Sequence, residues 1–167
     1  MHNSAAMTGK PKAAKRRFPT PEEEAELGLY PRGKDSDLQF PVLNFIRSLY
    51  AASKGLRIGK RSVAPYIGGC LMPAAEFASF GVKKYGIDVR RVVVQHQGIL
   101  RTRPCLEKWK LTFPILADDE SMEDGVLEAI EPIAHEAGKR IGIGDGRPEK
   151  GLCYGRFKVT GFKLSSV

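Results

Sequence analysis

From Lys108 to Leu116 the chain reads Lys-Trp-Lys-Leu-Thr-Phe-Pro-Ile-Leu, so the apolar residues Trp109, Leu111, Phe113 and Ile115 fall two apart. Side chains two apart on an extended backbone share a face. The spacing predicts a strand whose apolar face is core and whose other face, with Lys108, Lys110 and Thr112, is wet. Helical spacing appears on both sides of it. Val42, Phe45, Ile46, Leu49 and Tyr50 follow Pro41 and predict a helix ending near Ser53, ahead of Gly55. Val126, Ile130, Ile133, Ala134 and Ala137 form a second buried stripe, with Ser121 and Asp124 placed at its N-cap and Gly138 at its end.

The remaining elements are shorter. Thr20, Pro21 and the glutamates at 22, 23 and 24 predict an N-cap, a first-turn proline and an acidic first turn, hence a short helix to Leu27. Arg91 to Gln95 is rich in valine and predicts a strand turning at Gly98. Between Gly55 and Gly86 no period stands out, although Lys54, Arg57, Lys60 and Arg61 form a basic cluster there. Ile141 and Ile143 suggest a short strand, and Arg156 to Leu164 a closing one, with Phe157 and Val159 inward and Arg156 and Lys158 outward. The order helix, strand, strand, helix, strand is that of an α+β fold, ferredoxin-like or RRM-like, with an antiparallel sheet, two helices and no first strand.

A chain of 167 residues fits one domain, taken here as residues 21–167. Residues 1–20, with Lys10, Lys12, Lys15, Arg16 and Arg17 and no apolar period, are predicted to be a flexible basic arm. Lys and Arg number 27 against 19 Asp and Glu, a net charge of +8 that favours a polyanionic partner. The plainer alternative is a basic surface that keeps the protein in solution. Cys70, Cys105 and Cys153 are odd in number and lack CxxC spacing, so they are expected to be buried small hydrophobes. No apolar run suggests a membrane span or signal peptide, which predicts a cytoplasmic protein without a membrane partner.

Chemistry concentrates in Gly142 to Phe157. Its five glycines suit positive φ angles or close backbone approach, and Arg147, Lys150 and Arg156 set positive charge among exposed amides, as in an anion cradle. The alternative is a tight connection braced by Asp145, Arg147 and Glu149. The segment lacks GxxxxGK[ST] and the strand-then-helix context of a dinucleotide site, which argues against an NTPase or dehydrogenase. Arg101 and Arg103, in Arg101-Thr-Arg-Pro104, project the same way if extended and suit phosphate, or else pair with a carboxylate. His96 and His135 have no partner at metal spacing; His96 as the acid-base group of a metal-independent ribonuclease is a third reading. The expected nucleic-acid contacts are therefore Arg101, Arg103, Arg147, Lys150, Arg156 and Lys158, with Arg16 and Arg17 of the arm. Gly142, Gly144, Gly146, Gly151 and Gly155 are expected to shape the loop; no catalytic residue, metal or cofactor is expected.

Gly142 to Pro148, Gly151 and Tyr154 to Phe157, taken with Gly28-Leu-Tyr30, Arg101-Thr-Arg-Pro104 and Trp109, resemble a family of functionally uncharacterised phage and prophage proteins. Chains of that family end in a helix, a GIGDxRP segment, a Gly-Gly step and an aromatic-Gly-Arg-Phe close. This chain departs from the pattern at Gly146, where the family has an aromatic residue, and at Leu152-Cys153, which interrupts the second glycine. The architecture is also similar, at a distance, to the RAMP proteins of CRISPR effector complexes, which carry a ferredoxin-like core and a late glycine-rich loop that touches RNA. Relatives carry an apolar strand running into Leu-Leu-Met-His-Asn, which implies that the missing first strand lies upstream of Met1-His2-Asn3; closure of the sheet by Gly28 to Tyr30 is the alternative. The resemblance implies a non-catalytic phage or prophage protein binding single-stranded RNA or DNA. A protein-interaction or assembly role, for example inhibition of a host defence complex or self-association, is the alternative.

Overall fold

Thr20 starts the first element as its sequence predicts. Its hydroxyl accepts from the Glu23 N–H at 3.3 Å, and the Glu23 carboxylate accepts from the Thr20 N–H at 2.8 Å, a reciprocal cap that opens α1 (Pro21–Leu27). The computed structural model describes residues 19–165, so Arg16 and Arg17 lie outside the described residues. After α1 come β1 (Gln39–Pro41), α2 (Val42–Ser53), β2 (Arg57–Ile58), β3 (Arg61–Ser62), α3 (Ala64–Cys70), β4 (Leu71–Pro73) and β5 (Phe77–Ser79). Then follow β6 (Gly86–Val94), β7 (Gln97–Cys105), β8 (Ile115–Ala117) and α4 (Val126–Glu136). The fold is mixed α+β, and its strands form antiparallel two-stranded ladders: β1 with β5, β2 with β3, β4 with β8 and β6 with β7.

The helices follow the predicted stripes and depart at their ends. In α2, Val42, Ile46 and Leu49 are buried as expected, but Tyr50 is 40% exposed and lies off the core face. In α4 the stripe from Val126 to Ala134 is buried, yet Ser121 is not its cap. Gly125, at φ 84°, stands at the N-cap, and a left-handed residue there separates the helix from the turns around Ser121. Nor does Gly138 end the helix. The chain continues through a π-helical turn, Ala137–Ile141, closed by the Gly142 N–H on the Ala137 carbonyl at 2.8 Å. Gly138 is instead a crossing point: the Phe157 carbonyl oxygen sits where a Cβ would be, and the Phe157 N–H donates to the Gly138 carbonyl at 3.2 Å. Ile141 closes this turn, so the strand expected at Ile141 and Ile143 does not form.

The strands differ more. The one expected at Arg91–Gln95 is nine residues long and pairs with β7 from Gly86↔Cys105 to Val94↔Gln97. The turn falls at Gln95 and His96, both at positive φ (49° and 65°), while Gly98 lies in the ladder opposite Val93. Of Lys108–Leu116 only the end joins a ladder, Ile115 pairing with Pro73 and Leu116 with Met72 in β8 and β4. The predicted alternation nevertheless holds: Trp109, Leu111, Phe113 and Ile115 are half-buried, and Lys108, Lys110, Thr112 and Leu116 are exposed. The closing segment behaves likewise, with Phe157 and Val159 half-buried and Arg156 and Lys158 exposed, but no ladder.

The described chain falls into two compact units. One comprises residues 19–29 and Tyr85–Leu106, that is α1 with the β6–β7 hairpin. There Glu24 accepts from Arg101 at 3.1 Å and from the Thr102 N–H at 3.2 Å, and the Tyr85 hydroxyl donates to Glu26 at 2.6 Å. The other comprises Tyr30–Lys84 and residues 107–165. Its core joins Ile46 and Leu49 of α2 with Ile67 of α3, Leu71 of β4 and Ile130 and Ile133 of α4. Cys70 is buried as expected, whereas Cys105 is half-buried and Cys153, in the loop after Gly151, is exposed. Among the described residues no helix is long and apolar enough to cross a membrane.

Candidate functional site

The polar face of α2 forms one wall of a cleft of about 400 Å³ in the larger unit. Asn44, Arg47, Ser48, Ala51 and Lys54 line it, and their spacing is that of one side of a helix. The opposite wall is formed by residues 141–145, Asp145 among them, followed by Arg147 and Glu149; Tyr30 and Tyr50 complete the lining. Glycines, charged residues of both signs and two tyrosines thus meet in one opening.

The glycine-rich loop is held against α2 at its first glycine. The Ser48 hydroxyl donates to the Gly142 carbonyl at 2.9 Å in a buried hydrogen bond. From there the loop returns on itself: the Tyr154 N–H donates to Gly146 and the Ile143 N–H to Gly155, both at 2.9 Å. Gly155 has φ 65°, and a Cβ there would meet the Ile143 carbonyl oxygen, so only glycine fits the return without displacement. A 3₁₀ turn, Pro148–Lys150, forms the tip. Arg147 braces it, its Nε donating to Glu149 at 2.8 Å and its Nη1 to the Gly144 carbonyl at 3.1 Å.

Arg47 and Lys54 carry the cleft's remaining positive charge. Both are exposed and, among the described residues, neither has an acidic partner. They stand seven residues apart, about 10.5 Å along a helix. The Lys54 Nζ lies 5.2 Å from the Tyr50 ring centroid, a cation–π contact, and Asn44 donates to the Tyr30 hydroxyl at 3.2 Å. Tyr30 and Tyr50 are 42% and 40% exposed.

Of the residues singled out in the sequence, Arg147 lines this cleft with Gly142 and Gly144. Lys150 is exposed on the 3₁₀ turn, and Arg156 and Lys158 are exposed along the closing segment; none of the three lines it. Gly151 holds φ 78° at the turn's end, and Gly146 faces Tyr154, whose Cδ2 would lie 3.0 Å from an added Cβ. Arg101 and Arg103 lie on β7 in the smaller unit, on one face as predicted. Arg101 is engaged by Glu24, and its hydrogen bond, helped by those from Thr102, holds the Glu24 carboxyl below its ordinary pKa. His96 is exposed in the hairpin turn, and His135 lies 3.9 Å from Glu131. Asn44 and Arg47 escaped the sequence reading, which took Tyr30 as part of a family motif, Tyr50 as core and Lys54 as part of a basic cluster, none of them as site residues. The seven-residue step from Arg47 to Lys54 was the available signal, obscured because Tyr50 passes for core and Lys54 for part of a loop cluster.

Comparison with protein-family models, with curated proteins and with solved structures finds no match.

Proposed function

We propose that the chain is a non-catalytic nucleic-acid-binding protein that holds single-stranded RNA or DNA in the cleft between α2 and the glycine-rich loop. One observation carries this: Arg47 and Lys54, without acidic partners, share an opening with the exposed rings of Tyr30 and Tyr50. Cations take phosphates and aromatic faces take unpaired bases, the combination by which single strands are bound without a groove to read. Of the two acidic residues lining the cleft, Asp145 and Glu149, Glu149 is paired with Arg147. Lys150, Arg156 and Lys158 extend the basic surface beyond the cleft, and the net charge of +8 draws the polyanion in. The glycine-rich motif's resemblance to phage and prophage proteins supports a phage origin and a host-cytoplasmic setting. With it goes a ferredoxin-like relationship of the fold.

The test is a titration of labelled single-stranded and duplex oligonucleotides of one sequence at about 50 and 200 mM salt. Tighter binding of the single strand, falling steeply with salt, supports the proposal. No binding at the lower salt, or binding indifferent to salt, overturns it.

A second reading, a protein-interaction or assembly subunit, is favoured by Val93 and Leu100, 73% and 69% exposed on the β6–β7 hairpin. Light scattering after nuclease treatment separates the two: assembly that persists favours the protein partner.

A further inference from the structure

The two edges of the β6–β7 hairpin are not alike. On an antiparallel ladder, directly opposed residues turn their backbone groups either toward each other or both outward, and the two kinds alternate along the strands. The Thr102 N–H donates to Glu24 of α1 at 3.2 Å, so Thr102 and its partner Val89 are an outward pair. Ile87↔Pro104, Arg91↔Leu100 and Val93↔Gly98 are then outward as well. Pro104, which has no N–H to give a ladder, fits that assignment. The β7 edge is therefore closed at Thr102 by a carboxylate and at Pro104 by a missing donor.

The β6 edge has no such closure. Its outward residues Ile87, Val89, Arg91 and Val93 are exposed, and among the described residues their backbone groups make no hydrogen bond outside the hairpin. The Arg91 side chain leans away from this edge, over Gly98 of β7, with its Nε 2.6 Å from where a Cβ would stand. β6 holds no proline, and its unbroken register from Gly86 to Val94 leaves no bulge. A long, flat edge of this kind is a template for another strand.

The strand that matches it is β6 of a second copy. Two such edges about a two-fold axis run antiparallel, and outward residues must face outward residues, so every register centres on one residue opposite itself. Centres at Asp88, Arg90 or Arg91 set like charges on each other. Centring on Val89 sets Asp88 against Arg90 of the second copy on both sides of the axis, and no other centre within β6 opposes unlike charges. Val89 then meets Val89, while the outward groups of 87, 89 and 91 ladder across the axis. Asp88 and Arg90 already pair along one strand, at 2.7 Å, so the two copies would alternate their charges in one cluster.

We propose that two copies of the chain join through β6, antiparallel about Val89, into one four-stranded sheet. This gives the assembly reading a surface and a register, and it needs nothing of the cleft beside α2.

The test is sedimentation equilibrium of the nuclease-treated full chain from about 1 µM to about 1 mM, beside three variants. The parent should reach twice the chain mass of 18.4 kDa. Val89→Pro removes an outward N–H and spares the ladder to β7, so it should remain a monomer. Asp88→Arg and Arg90→Asp each set like charges across the axis and should weaken association at least about tenfold. Mixed together, those two variants oppose unlike charges at both positions and should recover a dimer of one of each, read by native mass spectrometry. The proposal is overturned by a parent that stays monomeric or grows past two copies, by a dimer that survives Val89→Pro, or by charge variants that associate like the parent or are not rescued on mixing. Should Val89→Pro fail to fold, the mixing experiment decides alone. No outcome bears on nucleic-acid binding by the cleft.

Discussion

Ser48 and Gly142 are joined by a buried hydrogen bond, hydroxyl to carbonyl, at 2.9 Å. It fastens the glycine-rich loop to α2 and so fixes the distance between the two walls of the cleft. Replacing Ser48 with Ala leaves a buried carbonyl without this partner, at an expected cost of about 1–3 kcal/mol. Chemical denaturation should show a lower midpoint at unchanged slope. A variant as stable as the parent would mean that the bond does not hold the loop.

Gly155 and Gly144 both lie at positive φ, 65° and 78°, but in different surroundings. A side chain at 155 meets the Ile143 carbonyl, whereas nothing lies within 4 Å of one at 144. Gly144→Ala should therefore cost only the left-handed backbone penalty, about 1–2 kcal/mol. Gly155→Ala adds overpacking of about 1–3 kcal/mol. Parallel denaturation of the two variants checks the order, and equal losses would contradict the crowding at Gly155.

Glu24 should titrate below the ordinary glutamate range, chiefly through its hydrogen bond from Arg101 and also through those from Thr102. Because the folded pKa is lowered, the pair stabilises the fold above the unfolded pKa, and that contribution is lost as pH falls through the folded value. In Arg101→Ala the carboxyl should move up towards its ordinary value, as followed by carbon NMR against pH. An unchanged titration would mean that Arg101 does not hold Glu24, leaving it available to a phosphate.

Stacking gives a further prediction. Tyr50→Ala should weaken single-strand binding by about 1–3 kcal/mol, the usual worth of one base on one ring, with little change in salt dependence. Binding unaffected by this change would place the bases elsewhere.

Much of the fold was legible where its causes are local. The cap at Thr20, the stripe through Ile46 and Leu49 and that through Ile130 and Ile133 depend on neighbours within a turn or two, and they formed as read. The β6–β7 turn was missed because Gln95 and His96 adopt positive φ without the glycine or asparagine that usually announces it. The three-residue ladder of β4 and β8 joins Leu71 to Ala117 across a span in which no local pattern points to the partner. The alternation at Trp109–Ile115 was visible, but only Ile115 of it joins a ladder. The site divides in the same way. Glycines and Arg147 marked the loop, while Arg47, Lys54 and Tyr50 became part of the cleft only because the Ser48–Gly142 contact brings that loop to their side of α2.

The central claim rests on Arg47 and Lys54 as phosphate contacts, and the salt dependence of single-strand binding measures this most directly. Each such contact contributes about 0.7 to the slope of log affinity against log salt. The double variant Arg47→Ala with Lys54→Ala should bind a single strand at least about tenfold more weakly at low salt, with a slope shallower by about 1.4. An affinity and slope equal to those of the parent protein would contradict the assignment of the cleft as the nucleic-acid site.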